Sequence, residues 1–366
     1  MNIVVFNLNG RGGMLHYSSQ FSNALKSEHN IRVIVPSYAD TQLYDEGIEL
    51  WKIRTNPTFG SFIIDSLNIF AHIGLLSKIW KFQPDIIQIM DNHPWYFFYP
   101  IFGRLIGAKI YVIQHDPFPH SGERKGIFHK VAIGVNIFLR KFSDILIVHG
   151  EKMRTKVIKY YGIPEEKIRS IYHGSLDFLR HENLSEKKEP YTFLFFGRIV
   201  AYKGLDILIQ AVEILEKKGI PYHIIIAGDG DISPYKNEFE KIEKKNITLI
   251  NRFIDDKEIP GLFGRSRFVV LPYKDATASG IIPLSYSFSL PVIATDVGVL
   301  SEYVKNSETG LLVESPNPAL IANAIEKLLG DQELTEQLGE NAKKFQNTTL
   351  SWRGIIQSIY QKTPTI

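Results

Sequence analysis

The sequence predicts an α/β protein with two doubly wound parallel sheets. Short β-branched runs alternate with amphipathic stretches along the whole chain, as in consecutive βαβ units. The runs are almost continuously apolar, which is typical of parallel strands that helices cover on both faces. A length of 366 residues suits two domains rather than one core. Strands are expected at residues 3–6, 31–35, 86–89, 109–113 and 145–148, and again at 192–196, 223–227, 268–271 and 291–294.

A polar stretch with glycine and proline separates the two series of strands. It covers residues 174–190 and has the composition of a linker. We therefore expect one Rossmann-like domain at 1–173 and a second at 191–352.

The composition excludes several classes of protein. The chain has no cysteine, which removes disulfides, thiolate chemistry and cysteine-bound zinc. No apolar run reaches the roughly 18 residues that a membrane span needs. The start reads as a strand rather than a signal peptide, so a cytoplasmic location is expected. Residues 1–180 hold 21 basic and 15 acidic residues, a net charge of +6. This basic half suits a phosphate-bearing or anionic lipid partner, or is an uneven solvated surface. No motif for binding nucleic acid is present.

Glycines directly after the first strand indicate a ligand that approaches the backbone. Gly12 and Gly13 stand at the expected start of a helix, whose amide groups suit an anion or a sugar. Their spacing differs from the dinucleotide fingerprint, which disfavours a nicotinamide oxidoreductase. A simple tight turn is the alternative interpretation.

Polar clusters follow the third and fourth predicted strands. Asp91 and His93 come after the third, and His115, Asp116 and His120 come after the fourth. Ligands of open α/β sheets bind beyond the carboxyl ends of strands. His115 is therefore a candidate catalytic residue, and the other four are candidate acceptor-side residues. Packed or surface histidines are the alternative. No His-x-x-x-His pair lies on a convincing helix, so no metal is expected.

The sharpest signal opens the second domain. Arg198 follows the strand at 192–196 through a glycine, and Lys203 stands at the start of a helix that Leu205 begins. Two cations beside a helix N-terminus make a site for a diphosphate. Farther along, Ser279 and Gly280 open another helix after a strand, where amide groups also suit an anion.

These residues together resemble the family-4 retaining glycosyltransferases of the GT-B fold, in which two Rossmann-like domains face a cleft. The resemblance covers nearly the whole chain. It rests on Gly12-Gly13-Met14, His115-Asp116, Gly197-Arg198 with Lys203-Gly204, Ala227-Gly228-Asp229-Gly230, and the segment from Leu290 to Gly298.

The resemblance implies a metal-independent transferase whose donor is a nucleoside diphosphate sugar and which needs no further cofactor. Arg198 and Lys203 would hold the donor diphosphate, and His115 would lie beside the reacting sugar. A C-terminal helix, about 353–366, would pack back on the first domain. The other implied donor contacts are Gly12 and Gly13 at the sugar, the backbone amides of Ser279, Gly280 and Ile281 at the diphosphate, and the loop with Arg252 and Phe253 at the base.

One departure from the family pattern concerns the donor sugar. Many members carry two Glu residues eight positions apart before the Leu-Pro-Val segment. Two alignments place Ala276 and Leu284, or Thr277 and Ser285, at those positions, and neither supplies a Glu. Contacts to the donor sugar are instead expected from Asp275 or Thr277.

The expected function is hexosyl transfer with retention of configuration. The acceptor would be a glycan or a lipid-linked sugar in bacterial envelope, lipopolysaccharide or exopolysaccharide synthesis. A nucleotide-sugar epimerase of the same architecture is one alternative, and a catalytically silent nucleotide-sugar-binding protein is another.

A peripheral membrane contact is also expected. The segment 126–141 is apolar with basic ends, which suits the surface of an anionic membrane at its inner face. An ordinary buried helix is the alternative.

Overall fold

The protein forms two compact α/β units. The computed structural model describes residues 1–55, 59–118, 127–180 and 188–360. The N-terminal unit comprises Met1–Pro117, Arg124–Gly174 and Trp352–Ile366, and the C-terminal unit comprises Phe118–Glu123 and Ser175–Ser351.

The N-terminal unit alternates strands and helices. Its elements are β1 (Asn2–Phe6), α1 (Gly12–Lys26), β2 (Asn30–Pro36), β3 (Glu49–Ile53), α2 (Phe59–Ser66), α3 (Ile69–Phe82), β4 (Ile86–Ile89), α4 (Tyr99–Leu105), β5 (Lys109–Ile113), α5 (Ile127–Phe142), β6 (Ile145–His149), α6 (Glu151–Tyr161) and β7 (Ile168–Ile171). The strands are parallel and lie in the order β3-β2-β1-β4-β5-β6-β7. Strand order reverses between β1 and β4, so their carboxyl ends form the switch point where such sheets bind ligands.

The C-terminal unit repeats this architecture with six strands. Its elements are β8 (Thr192–Phe196), α7 (Leu205–Lys217), β9 (His223–Ala227), α8 (Lys236–Phe239), β10 (Ile247–Ile250), α9 (Ile259–Arg265), β11 (Val269–Leu271), α10 (Ile281–Ser287), β12 (Val292–Thr295), α11 (Leu300–Tyr303), β13 (Gly310–Val313), α12 (Pro318–Gly330) and α13 (Gln332–Thr349). The parallel order is β10-β9-β8-β11-β12-β13, with the switch point between β8 and β11.

Apolar periodicity explains why these elements form. Ile3, Val4, Val5 and Phe6 of β1 are all fully buried, because helices cover both faces of the sheet. In the C-terminal unit, helix α7 buries Leu205, Leu208 and Val212, the apolar face that the sequence predicts. At the start of α12, the side chain of Asn317 caps the helix by accepting from the amides of Ala319 and Leu320.

The C-terminal helix α14 (Trp352–Tyr360) belongs to the core of the N-terminal unit. Trp352 packs edge-on against Tyr17 of α1, with ring centroids 5.0 Å apart. The hydroxyl of Tyr360 donates to Oε1 of Gln88 at 2.7 Å. A Cβ at Gly174 would lie 2.2 Å from the Trp352 indole, so this position has no room for a side chain.

The predicted linker is more ordered than its composition indicates, where the structure describes it. Ser175–Arg180 packs onto the C-terminal unit, and Leu176 and Leu179 are buried there. Asp177 pairs with Lys343 of α13 and accepts from Gln346 at 2.8 Å. A polar, glycine-containing sequence at this point therefore makes specific contacts, and residues 181–187 lie outside the described part.

Four strands went unpredicted, and all four are sheet edges. They are β3 and β7 in the first sheet and β10 and β13 in the second. Except in β13, about half or more of the side chains in these strands stay partly exposed, so three of the four lack the fully buried run of a central strand. Among the described helices, none is both long and apolar enough to cross a membrane.

Gly204 and Gly219 form a matched pair for testing how tightly the C-terminal unit is packed. Both have positive φ, 69° and 68°. A Cβ at Gly204 would lie 1.9 Å from the carbonyl oxygen of Pro272, whereas a Cβ at Gly219 would meet nothing within 4 Å. We expect Gly219→Ala to lower the free energy of unfolding by about 1 kcal/mol and Gly204→Ala by about 3 kcal/mol or more. Urea denaturation measures both values, and equal losses would contradict the close approach.

Candidate functional site

The switch point of the C-terminal unit brings the predicted cations together with an aromatic ring. Arg198 lies just beyond β8, and Tyr273 lies just beyond the neighbouring strand β11. Lys203 ends a 3-10 turn, Ala201–Lys203, directly before α7. The carbonyl of Tyr202 in that turn accepts from the amide of Lys274 at 2.7 Å, which ties the turn to the segment after β11.

Lys203 is a buried cation. The residue is only 9% exposed, and its Nζ lies over the ring of Tyr273, 5.4 Å from the ring centroid. Burial is the main reason that the pKa of Lys203 is lowered to about 8; Tyr202 opposes this shift and the charge of Arg198 adds to it. Among the described residues, no carboxylate forms an ion pair with Lys203 or Arg198. Two cations thus meet here without a protein anion.

Gly197 makes this arrangement possible. It adopts φ of 106°, and a Cβ there would lie 2.9 Å from Nζ of Lys203. Its amide donates to the backbone carbonyl of Ala227 at 2.9 Å, and the amide of Ile199 donates to the backbone carbonyl of Asp229 at 2.7 Å. The loop that carries Arg198 is therefore fastened to the loop after β9 by backbone hydrogen bonds on both sides.

The loop before α10 is ordered and largely buried. Thr277 is 4% exposed and Ser279 is 7% exposed, whereas Asp275 is half-buried. The amide of Ile281 donates to Oγ of Ser279 at 3.3 Å, at the start of the helix that Gly280 precedes. These residues follow β11 at the switch point, as the predicted anion-binding segment requires.

The positions of the missing Glu pair are packed inside the unit. Ala276, Leu284, Thr277 and Ser285 are all buried, and Oγ of Ser285 donates back to the carbonyl of Ile281 at 2.7 Å. Neither alignment therefore leaves an exposed side chain where a carboxylate would project.

Arg252 is already paired within the protein, whereas the side chain of Phe253 is exposed. The guanidinium of Arg252 binds the Glu258 carboxylate in a bidentate pair, at 2.8 and 2.6 Å. This pair holds the pKa of Glu258 at about 2. The ring of Phe253 is 61% exposed, so it is the side chain of the two that can cover a flat ligand.

Gly12, Gly13 and Asp91 mark the switch point of the N-terminal unit. Helix α1 begins at Gly12, and a Cβ at Gly13 would meet nothing within 4 Å. Asp91 follows β4 and is 7% exposed, and its Oδ1 accepts from the hydroxyl of Tyr96. Burial raises the pKa of Asp91 to about 6, against hydrogen bonds from Tyr96 and backbone amides that lower it.

His93 has a structural task. It caps the 3-10 helix Pro94–Phe97, with its Nδ1 accepting from the amide of Trp95 at 3.2 Å. Its Nε2 lies 3.2 Å from Oγ1 of Thr55, and burial lowers its pKa to about 3. His93 is therefore a neutral cap, which matches the packed-histidine alternative.

His115 is partly exposed and lies next to two buried histidines, His149 and His173. Its Nε2 is 3.0 Å from the carbonyl of Met90, and because a carbonyl only accepts, this nitrogen carries the proton. Its Nδ1 then accepts from Nε2 of His149 at 3.1 Å. Both ring nitrogens of His115 thus have protein partners, and burial lowers its pKa. Its predicted place beside a reacting sugar stays a prediction.

Two further histidines escaped the sequence analysis. His149 ends β6 and His173 follows β7, so with His115 after β5 the three lie along neighbouring strand ends. The ring of Tyr17 packs edge-on against all three, at centroid distances of 4.6 to 5.4 Å. Burial lowers the pKa of His149 and brings that of His173 to about 4. The signal in the sequence was one histidine at each of three consecutive strand ends.

Helix α5 holds the loop that contains His115. Nε of Arg140 donates to Oε1 of Gln114 at 3.3 Å, and its guanidinium also reaches the carbonyl of Pro117 at 3.3 Å. The hydroxyl of Tyr161 donates to the same carbonyl at 2.9 Å. Asp116 is exposed, and its charge opposes the lowered pKa of His115. The predicted residue His120 lies outside the described residues.

Across the described residues, no group of three or more His, Asp or Glu side chains is arranged to hold a metal ion. What the C-terminal switch point offers a ligand is positive charge. What the N-terminal switch point offers is backbone at Gly12 and Gly13 beside buried, mostly neutral polar groups.

Two family models divide the chain between them. The model described as Glycosyltransferase Family 4 matches residues 11–175, and the model described as Glycosyl transferases group 1 matches residues 178–345. An uncharacterized glycosyltransferase of Methanocaldococcus jannaschii is 24% identical over 94% of this chain and 92% of its own length. The capsular polysaccharide biosynthesis glycosyltransferase CapM of Staphylococcus aureus is 27% identical over 55% of this chain and 56% of its own.

Solved structures confirm the fold. The Anabaena protein HepE, solved in complex with UDP and glucose, matches over 98% of both chains at a TM-score of 0.74 and 19% identity. The two family matches show that the chain belongs to the family-4, group 1 glycosyltransferases, and the structural match shows that it has the GT-B fold. The predictions of family, fold and glycosyltransferase activity are confirmed.

Asp91 gives a test of the buried edge in the N-terminal unit. Folding raises its pKa from 3.8 to about 6, so the ionised carboxylate destabilises the fold above about pH 6. We expect Asp91→Asn to raise the free energy of unfolding at pH 7.5 by up to about 3 kcal/mol. This gain should shrink as the pH falls from about 6 to 4, because the native carboxyl is then protonated. Denaturation at several pH values measures it.

Asp40→Asn is the control, because it removes one exposed negative charge from the same unit. A gain for Asp91→Asn that does not change with pH would contradict the raised pKa.

Proposed function

We propose that this glycosyltransferase moves a hexose from a nucleoside diphosphate sugar to a glycan or lipid-linked acceptor without a metal ion. The observation that carries the proposal is the pair of cations at the C-terminal switch point, Arg198 and Lys203, with no ion-pair partner among the described residues. A diphosphate supplies the missing negative charge. A hydrogen bond to a charged group contributes about 1.5–3 kcal/mol, so two such contacts provide substantial affinity.

The same cations suit catalysis of the transfer. As the bond between the anomeric carbon and the diphosphate oxygen breaks, negative charge grows on the leaving group. Lys203 is buried against Tyr273 before the reaction, so it stabilises that charge with little rearrangement, and the exposed guanidinium of Arg198 adds a second positive charge. Lys203 lies in a dehydrated position, where its charge acts more strongly than in water.

Retention of configuration follows if the acceptor attacks from the face that the diphosphate leaves. The acceptor oxygen forms its bond to the anomeric carbon, the bond from that carbon to the diphosphate breaks, and the acceptor proton passes to a phosphate oxygen. This route needs no protein base, which agrees with the lowered pKa of His149 and its hydrogen bond to His115.

The remaining donor contacts are assigned around this core. Ser279, Gly280 and Ile281 present the start of α10 to the diphosphate, and Phe253 covers the base. The other assigned contacts are Asp275, Thr277, Gly12, Gly13 and His115 at the sugar, Arg252 as the anchor of the base loop, and Asp91, Asp116 and His120 toward the acceptor.

The process we assign is synthesis of an envelope polysaccharide at the cytoplasmic face of the membrane. It is supported by the capsular relative, and a sugar nucleotide donor is supported by the UDP and glucose bound to HepE. Segment 126–141 is assigned to the membrane contact. A nucleotide-sugar epimerase is not favoured, because it would need no acceptor and the relatives are named as transferases.

Removal of either cation tests the leaving-group assignment. We expect Arg198→Ala and Lys203→Ala each to lower kcat by about a hundredfold or more, since each removes a charge that stabilises the transition state. The measurement is release of nucleoside diphosphate from the donor in steady state. Lys327→Ala, which removes an exposed lysine of α12, is the control and should leave kcat unchanged. Wild-type turnover in both site variants would refute the assignment.

The buried position of Lys203 also predicts how donor binding depends on pH. Its pKa in the free protein is about 8, and a bound diphosphate raises it, so binding takes up a proton above about pH 8. The affinity for UDP should therefore fall by up to about tenfold per pH unit between about pH 8 and 10. Titration calorimetry measures this slope.

Lys203→Gln separates this effect from other titrations. It should bind UDP more weakly than the wild type at pH 7 and with a flatter pH dependence. A wild-type affinity that does not change above pH 8, or a variant with the wild-type slope, would contradict the role of Lys203.

A further inference from the structure

Helices α2 and α3 expose large apolar side chains to an unusual degree. Phe70 is 88% exposed, Leu67 is 71% and Ile64 is 65%. Single exposed apolar residues need no explanation, but a contiguous group of them marks an interaction surface. We call this group the α3 face; it consists of Ile64, Leu67, Ile69, Phe70, Ile73 and Trp80.

Helix α3 is apolar on two sides. Its inner side packs Leu75 and Ile79 into the unit, whereas Ile69, Ile73 and Trp80 are each more than half exposed. At 3.6 residues per turn these three lie within about 40° of one another, on a single stripe. A helix at the surface of a unit normally has one apolar side, which faces the core, so the second, outer stripe indicates a partner.

The α3 face continues across neighbouring elements. The indole of Trp95 donates to Ser66 at 2.8 Å, which joins α2 to the 3-10 helix Pro94–Phe97. The ring of Phe97 in that helix packs against Phe138 of α5, with centroids 5.4 Å apart. Exposed apolar side chains occur on these elements too, including Phe98 next to α4 and Ile133 and Ile137 on α5. Exposed apolar side chains thus occur on several neighbouring helices of one unit.

The exposed charged residues on the helices that carry this surface are basic. Lys78 and Lys81 are exposed on α3, and Lys130 and Lys141 are exposed on α5. Within the described parts of helices α2, α3, α4 and α5 the sole acidic residue is Asp65, which is buried and paired with Arg54 at 3.0 Å. Lysines at the rim of an apolar surface match anionic headgroups above an acyl layer. A two-fold contact between copies of this chain would instead bring like charges together.

We propose that the α3 face docks on the surface of an anionic lipid bilayer, with Phe70, Ile73 and Leu67 in the interface and the lysines among the headgroups. Segment 126–141 then contributes the exposed side chains of α5 rather than the main anchor. Because Arg140 of α5 holds the loop after β5, docking would bring that edge of the N-terminal unit close to the membrane. This inference rests on the membrane contact proposed above, which it assigns to a different helix, and it does not depend on the donor.

Liposome flotation of the full chain tests the inference. Vesicles of phosphatidylcholine alone are compared with vesicles that also contain phosphatidylglycerol. We expect binding to the anionic vesicles that weakens at high salt, because salt screens the lysines. The double variant Phe70→Ser/Ile73→Ser should bind about a hundredfold more weakly, since each buried apolar side chain contributes about tenfold. The variant Lys78→Gln/Lys81→Gln should lose only the preference for anionic vesicles.

Matched controls come from α6 and β3 of the same unit. Tyr160→Ser removes a 72% exposed aromatic side chain, and Lys52→Gln with Lys159→Gln removes two exposed lysines. Both should bind vesicles like the wild type. Every variant should keep the melting temperature and its increase with UDP, which separates loss of docking from unfolding and from failure of the donor site.

Three results would overturn the inference. One is a wild-type protein that floats with neither kind of vesicle. Another is a Phe70→Ser/Ile73→Ser variant that floats like the wild type. The third is a dimer in sedimentation velocity that this variant abolishes, which would make the α3 face a contact between two copies of the chain.

Discussion

The unpaired charge of Lys203 is the constraint around which the C-terminal unit is arranged. The pKa of Lys203 falls from 10.5 to about 8, so keeping this lysine charged at neutral pH costs the folded state about 3 kcal/mol. The unit bears this cost because Gly197 lets the ammonium lie against the backbone and the ring of Tyr273 faces it. A carboxylate nearby would remove the cost, and it would also occupy the site. On the function proposed above, a cation without a protein anion stays available for the donor diphosphate.

The corresponding sheet edge of the N-terminal unit carries neutral histidines rather than unpaired cations. Its polar groups are also largely buried, but burial keeps the histidines neutral and they form hydrogen bonds within the unit. His149 donates to His115, and His93 caps a helix in its neutral form. Burial keeps Asp91 partly protonated near pH 6. Such an edge suits uncharged hydroxyl groups, as a sugar presents them, whereas the C-terminal edge suits phosphate.

The sequence predicted what depends on local patterns and failed where tertiary context decides. Central strands are buried on both faces, so their apolar runs are unmistakable, while edge strands such as β3 and β10 mix exposed and buried positions. The sequence could predict that Arg198 and Lys203 lie at one strand end, because a strand, a glycine turn and a helix start follow one another directly there. The partners of His115 were not, since His149 and His173 lie on later strands. The role of His93 as a cap, and the exposure of Phe70, likewise appear only once neighbouring elements are in place.

The central claim is that protein cations alone hold the donor diphosphate. Titration calorimetry of the wild-type protein with UDP and with UMP, each in the presence of EDTA, tests it most directly. The account predicts that UDP binds equally well with and without the chelator, and at least about tenfold more tightly than UMP, because the second phosphate adds a contact to Arg198 or Lys203. Equal affinities for UDP and UMP, or UDP binding that appears only when Mg²⁺ is added, would contradict it.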